Sequence, residues 1–268
     1  MSDFLAAMAE ASRQRVKRLD AVSLDAKLAA TSPPTALEIG GPGFDVIAEA
    51  KLASPAAGRL TEGGARRVGE LAADYARSGA VAVSVLTEET RFAGALDHLT
   101  QTAVRVDIPV LRKDFLVDPI QVKEARAAGA SGVLLIVRML EETLLDEMTD
   151  LTLELGMFPL IEIFDRSDLD KAGRVFDRDV LIGVNSRDLT SLEVDFGRFT
   201  ELAPHLPEHL PAVAESGITG PSEAADVAEL GYRLALVGSS LASDSEPGVV
   251  LAGLIEAGRV RLGHRVGP

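Results

Sequence analysis

The chain has no cysteine and no tryptophan, only two tyrosines, and 4% aromatic residues. Without cysteine it can form no disulfide, no catalytic thiolate, no Cys-ligated zinc site and no Cys-held iron–sulfur cluster. That composition fits a reducing compartment. Basic residues are scarce as well. Lys and Arg number 27 against 41 Asp and Glu, a formal net charge of −14. The resulting pI near 4.8 argues against nucleic acid or an anionic membrane surface as a partner. Long apolar runs are also missing. Spanning a bilayer takes about 20 consecutive apolar residues, and runs here are as short as residues 132–137. Asp3 and Glu10 stand where a signal peptide needs a basic start and an unbroken apolar run. The expectation is a soluble, cytoplasmic protein that enters no membrane.

The chain does hold 47% apolar residues over 268 positions, enough for a large core of Ala, Val, Leu and Ile. Short apolar runs recur, each followed by a helical pattern. Strands are predicted at residues 44–51, 80–86, 108–113, 131–137, 157–163, 180–184, 210–215 and 233–237. Helices are predicted at 62–78, 95–103, 119–128, 141–154, 167–175, 196–202, 221–230 and 249–260. Gly79, Gly129, Gly156 and Gly231 end helices just before strands, and Pro119 and Pro221 open helices. Eight such units close most simply into one α/β domain, a single (β/α)8 TIM barrel spanning residues 1–268. An open doubly wound sheet is the alternative. Residues 1–40 fall outside the repeat. They read as an N-terminal helical extension, with an amphipathic helix at 4–19 and a Ser/Pro linker near 32–34.

Chemistry in such barrels sits at the C-terminal ends of the strands. Glu49 and Lys51 end the first strand, two apart and so on one face. Arg112, Lys113 and Asp114 end the third. Glu162 lies in the fifth, Asn185 to Asp188 follow the sixth, Glu215 to Gly217 the seventh, and Gly238 to Ser240 the eighth. A lone acid or base at a strand end is usually a solvated rim residue. Several of both signs converging on one mouth is costly unless they pair or act on a ligand. The Ser216–Gly217 and Gly238–Ser239 loops lie where barrels bind phosphate through backbone amides. Since the net charge repels an anion, the mouth must be locally positive. Lys51, Lys113 and Arg187 are the available cations.

Other features point to no chemistry. The glycine-rich stretch at 40–43 precedes a strand, whereas a dinucleotide loop follows one. His205 and His209 are four apart, but Pro204 and Pro207 break the helix that would align them. His98 and His264 are expected on the surface. No acid cluster suggests a metal, and no hydrolase triad motif is present.

Six segments together resemble the indole-3-glycerol-phosphate synthase family. They are residues 47–55 (IAEAKLASP), 110–115 (VLRKDF), 160–162 (LIE), 183–189 (GVNSRDL), 214–218 (AESGI) and 237–241 (VGSSL). The resemblance implies cofactor-free conversion of 1-(2-carboxyphenylamino)-1-deoxyribulose 5-phosphate to indole-3-glycerol phosphate, with loss of carbon dioxide and water. It implies Lys113 as general acid and Lys51 as the holder of the substrate carboxylate or acid of the dehydration. Glu162 would be a proton acceptor, Glu49 and Glu215 would orient the lysines or shuttle protons, and Asn185 would bind a substrate hydroxyl or oxyanion. Arg187, Ser216, Gly217, Gly238 and Ser239 would bind phosphate. Phe92, Phe115 and Leu134 would line the aromatic slot, and Ser54 would touch substrate. No metal is implied. The partner is then a phosphorylated small molecule, and the expected state is a monomer.

One stretch departs from the family pattern. After its first lysine the family carries further basic residues and then Ser-Pro-Ser, whereas residues 52–57 read Leu-Ala-Ser-Pro-Ala-Ala. That leaves open a peripheral variation, a weakened affinity, or a paralogue with a shifted substrate. Two rival readings stand beside it. A sugar-phosphate isomerase of the tryptophan or histidine pathway type would use a Cys base or a pair of Asp at the strand ends, which this chain lacks. A phosphate-binding barrel without catalysis would have lost part of the acid–base set.

Overall fold

The computed structural model describes residues 3–40, 43–54, 58–59, 64–188 and 191–265. Its centre is a closed barrel of eight parallel strands. These are β1 (Asp45–Ala50), β4 (Ala82–Leu86), β5 (Val110–Lys113), β6 (Gly132–Ile136), β7 (Phe158–Ile163), β8 (Leu181–Asn185), β9 (Ala212–Glu215) and β10 (Leu234–Val237). Each pairs with its sequence neighbours, and β1 closes the ring against β10. All eight predicted strands are present, with ends shifted by one or two residues. A two-stranded ribbon, β2 (Ala53–Ser54) with β3 (Gly58–Arg59), follows β1.

The predicted helices form the outer ring as α3 (Gly64–Arg77), α5 (Leu96–Ala103), α6 (Pro119–Ala127), α7 (Glu142–Glu154), α8 (Arg166–Ala172), α9 (Gly197–Leu202), α10 (Pro221–Leu230) and α12 (Pro247–Arg265). Residues 62 and 63, predicted to open α3, lie outside the described residues, as do 41 and 42 of the glycine-rich stretch. Helix ends follow local chemistry. Asp118 accepts a hydrogen bond from the Ile120 amide and Pro119 stands first in α6. Gly231 closes α10 at φ 103°, a left-handed conformation that a Cβ would strain.

Alternation along the strands divides the core in two. One set of side chains, among them Val46, Val83, Val133 and Ile182, packs under the helices. The other, among them Ile47, Leu111, Leu134, Leu160, Val213 and Leu234, fills the barrel. Positions 49, 113, 162 and 215 continue this inward set toward the mouth, which is why the polar residues at the strand ends converge.

Two helices precede β1. Helix α1 (Asp3–Val16) matches the predicted amphipathic helix, and its Leu5 and Met8 join the inner apolar cluster with Phe115, Ile136 and Phe164. Helix α2 (Ala21–Ala30) was not expected from the sequence. It is Ala-rich, and Leu24 is its one buried residue, so it carries almost no apolar stripe. Short helices α4 (Glu89–Phe92) and α11 (Ser239–Ser243) also escaped the periodicity reading. His98 corrects a surface expectation. It lies on the inner face of α5 beside Leu99 and is buried, and burial lowers its pKa. The His264 side chain lies outside the described residues.

Candidate active site

A cavity of about 300 Å³ opens at the C-terminal end of the barrel. Every residue to which the resemblance assigns a role lines it except Ser54, whose side chain lies outside the described residues along with Pro55–Ala57, whereas Arg112, Ser186 and Asp188 of the polar strand ends do not. Leu52, where the family usually carries a base, is buried in the outer apolar core.

The floor is a chain of charges. Lys51 Nζ lies 2.7 Å from Glu49 and donates to Ser239 Oγ at 3.1 Å. Lys113 Nζ stands farther off, 3.8 Å from Glu49 and 4.0 Å from Glu215. Asn185 Nδ2 donates to Glu162 at 3.3 Å, and Asn185 Oδ1 accepts from the Arg187 amide. Glu162 and Glu215 are each 1% exposed. Both Glu215 carboxyl oxygens lack an N–H or hydroxyl donor among the described residues.

These surroundings push the titrations apart. Burial raises the Glu49 carboxyl, but Lys51 and Lys113 outweigh it and hold the group below its ordinary value. Burial disfavours the Lys113 ammonium, yet Glu49, Glu162 and Glu215 outweigh it and hold the proton more tightly than usual. Burial and then the Glu162 charge push Glu215 well above the ordinary range. Burial raises Glu162 as well, against the pull of Lys113. A lysine and a carboxyl that both hold their protons more tightly than usual, side by side, mark a candidate acid–base set.

One wall is apolar. Phe115 packs edge-on to Phe4 with centroids 5.9 Å apart, and Phe92 lies 6.1 Å from Phe115. Leu134 closes that wall from inside the barrel. Glu88 builds the turn that presents Phe92. Its carboxylate accepts from the Thr90, Arg91 and Phe92 amides at the start of α4.

The opposite wall is made of Gly and Ser. Ser216 and Gly217 both take left-handed backbone, at φ 68° and 76°. For Ser that costs on the order of 1 kcal/mol, and such strain concentrates at functional sites. Gly238 is required by close approach, because a Cβ there would strike the Glu49 carboxylate and crowd Lys51 Nζ. Arg187 is half-buried and donates to the Leu192 carbonyl at 2.7 Å. Burial lowers its pKa although Glu49 opposes this, so its charge is poorly compensated and suited to an anion.

Sequence reasoning missed several lining residues. Phe4 sits on α1, and only the docking of that helix brings it to the mouth. Its signal was the Phe4–Leu5–Met8 apolar spacing. Leu192 and Val194 follow β8, where Val194 forms an antiparallel bridge with Arg187. Leu236 was findable as the inward residue two before Gly238.

Comparison with known proteins agrees with this geometry. The family model for indole-3-glycerol phosphate synthase matches residues 4–252. The chain is 42% identical over 248 residues to "Indole-3-glycerol phosphate synthase 1" of Streptomyces coelicolor, covering 92% of this chain and 91% of that one. It is 44% identical over 236 residues to the indole-3-glycerol phosphate synthase of Mycobacterium avium, covering 87% and 85%. Among solved structures, 3-hexulose-6-phosphate synthase from Salmonella typhimurium aligns with a TM-score of 0.66 at 12% identity, covering 81% of this chain and 100% of that one. At that identity the likeness shows the barrel fold alone. The family match over nearly the whole chain, with close relatives at more than 40% identity, makes this protein a member of the indole-3-glycerol phosphate synthase family.

Proposed function

We propose that the protein is an indole-3-glycerol phosphate synthase of tryptophan biosynthesis, a carbon–carbon lyase. It would turn 1-(2-carboxyphenylamino)-1-deoxyribulose 5-phosphate into indole-3-glycerol phosphate, carbon dioxide and water. The observation that carries this reading is the position of Lys113. Its ammonium stands between Glu49 and Glu215, in a cavity whose walls are a three-ring slot and two Gly/Ser loops.

The chemistry asks for these groups. The ring carbon that bears the carboxylate attacks the ketone, and the ketone oxygen must gain a proton as the bond forms. Lys113, held cationic by three carboxyls, is that acid, and its charge favours the developing oxyanion. The carboxylate then leaves as carbon dioxide and returns its electron pair to the ring. In the dehydration a hydroxyl leaves as water with a proton from an acid, while a ring proton passes to a base. Glu162, Glu215 and Lys51 are the groups for that exchange, with Glu49 fixing Lys51. Asn185 binds a substrate hydroxyl or oxyanion. Phe4, Phe92, Phe115 and Leu134 clasp the flat anthranilate ring. Arg187, Ser216, Gly217, Gly238 and Ser239 bind the phosphate, and Ser54 is a further substrate contact by the family resemblance. No cofactor or metal enters these steps.

The same reading treats residues 1–268 as one barrel domain with residues 1–40 as its extension, working as a monomer in the cytoplasm. Among the described residues, no helix is long and apolar enough to cross a membrane. The test is turnover of the purified chain with the carboxyphenylamino-deoxyribulose phosphate, followed by indole fluorescence and carbon dioxide release. Turnover supports the synthase. Binding without turnover points to a paralogue with a shifted substrate.

A further inference from the structure

Glu162 and Glu215 belong to strands that are not neighbours, since β8 runs between β7 and β9. Adjacent strands lie about 4.8 Å apart, so these two backbones are separated by roughly 10 Å. Gly183 of β8 pairs in register with Glu162 of β7, and Asn185 of β8 with Glu215 of β9. Because the strands are tilted and staggered, inward residues of alternate strands share a layer, so Glu162 and Glu215 flank the strand that carries Gly183. A methyl group at Gly183 would collide with Glu215 Oε1, and would press its carboxyl carbon and Leu160 Cδ1, each at 3.2 Å. The Glu215 carboxyl thus occupies the space that a Gly183 side chain would fill. That space lies on the path to Glu162.

The carboxyl group resting there is unusual. Both its oxygens are buried with no N–H or hydroxyl donor among the described residues, and the hydrogen-bonding neighbour is the Glu162 carboxyl. The charged and titratable groups around it are Glu49 from β1, Lys113 from β5 and Glu162 from β7. Lys51 and Arg187 stand beyond them against Glu49, and Arg138 against Glu162. Two ionised carboxylates in this position could only repel. With one proton between them, one oxygen donates and another accepts, and the pair is an acid and a base at once.

We propose that Gly183 is a positioning residue whose missing side chain forms the notch through which Glu215 reaches across β8 to Glu162, making the two carboxyls one proton-sharing pair beside Lys113. This deepens the synthase reading and rests on it. The pair suits the dehydration, in which one proton goes to the leaving hydroxyl and one is taken from the ring. Gly183 touches no substrate in this scheme and acts only through Glu215.

The test compares wild type, Gly183→Ala, Glu215→Asp and the double variant. Gly183→Ala should lower kcat about 100-fold, with KM within about threefold because the phosphate loops are untouched. Its kcat/KM–pH profile should lose or shift the limb that belongs to the carboxyl pair. Glu215→Asp alone should also be slow. In the double variant the shorter carboxylate fits the filled notch, so its kcat should exceed that of Gly183→Ala by about tenfold, a departure from additivity. Wild-type kcat and pH profile in Gly183→Ala, or a double variant no faster than the product of the singles, overturns the notch. If Gly183→Ala does not fold, Gly183→Ala/Glu215→Ala decides. Recovery of the fold supports the notch, and failure to recover refutes it. If the wild type does not convert the substrate, the synthase reading fails, and carboxyl 13C NMR of Glu-labelled protein still tests the pair. Glu215 should titrate well above the ordinary range in wild type and move in Gly183→Ala. A Glu215 titration identical in both overturns the proposal.

Discussion

The end of β5 presents two faces that share a backbone and little else. Outward, Arg112 and Asp114 sit in a cluster built around a saturated Asp114 carboxylate. Asp114 accepts from both Arg15 terminal nitrogens at 2.7 and 3.0 Å, from Thr87 Oγ1 at 2.6 Å, from Arg112 at 3.1 Å and from the Phe115 amide at 2.8 Å. Arg112 in turn donates to Thr87 Oγ1, the Gln121 carbonyl and Glu124. Inward, Lys113 reaches its carboxylates only at 3.8 and 4.0 Å, and Glu215 has no donor among the described residues. Both faces are buried and both are charged. In the outer cluster the Asp114 carboxylate has its hydrogen bonds made and only Arg15 Nε is left without one among the described residues, so it can clamp α1 to the strand and hold Phe115 and Lys113 still. The inner one has capacity left over, which a substrate can use. Burial of charge alone does not mark a site; burial of charge with unfilled hydrogen-bonding capacity does.

Breaking each face should give different losses. Lys113→Ala should cut kcat by about 100- to 10,000-fold, the range for a lost general acid, in a protein that still folds and still binds substrate. Near-normal turnover would remove Lys113 from its role. Asp114→Ala should instead lower stability by about 3 kcal/mol, because half-buried Arg15 loses its carboxylate and buried Arg112 keeps only Glu124. Denaturant unfolding measures this, and a loss below about 1 kcal/mol would mean that the outer cluster does not hold the strand. At the opposite wall, Ser239→Asp should raise KM at least about tenfold by setting a carboxylate against the phosphate. It also removes the hydroxyl that Lys51 bonds, so kcat should fall less than KM rises. An unchanged KM would place the phosphate elsewhere.

The inner face was legible in the sequence and the outer one was not, for a physical reason. Strand periodicity and the end-of-strand rule together say that Glu49, Lys113, Glu162 and Glu215 point inward at one level. That needs only local pattern and barrel closure. Arg15 meeting Asp114 is a contact between residues 99 positions apart, set by how α1 docks, and no periodicity reports it. Phe4 was missed for the same reason. His98 was misplaced because α5 is a helix of 8 residues, too short for its polar positions to reveal which face turns inward. Helix α2 had an N-cap signal in Asp20 but no apolar stripe to follow it. The Gly183 notch could not be read either, since its meaning depends on a side chain from the neighbouring strand.

The smallest expected effect separates the two faces most sharply, because its sign differs between them. Burial raises the Asp114 carboxyl, but Arg112 and Arg15 outweigh it and hold the group below its ordinary value in the folded chain. Its contribution to stability is therefore complete above that ordinary value and disappears as pH falls through the folded one. Glu215 is held well above its ordinary value, so the folded chain binds its proton more tightly than the unfolded chain does. That advantage is complete below the ordinary value and is lost as pH rises through the folded one. Two isosteric variants expose the contrast. Asp114→Asn should lower Tm at neutral pH, and its deficit should shrink in acid. Glu215→Gln should raise Tm by about 2–4 °C, the shift that about 1 kcal/mol produces in a chain near this size. That gain should grow toward alkaline pH while turnover falls. A Tm for Glu215→Gln equal to or below wild type at alkaline pH would mean that the inner carboxyl is as well satisfied as the outer one. The contrast between the two faces would then fail.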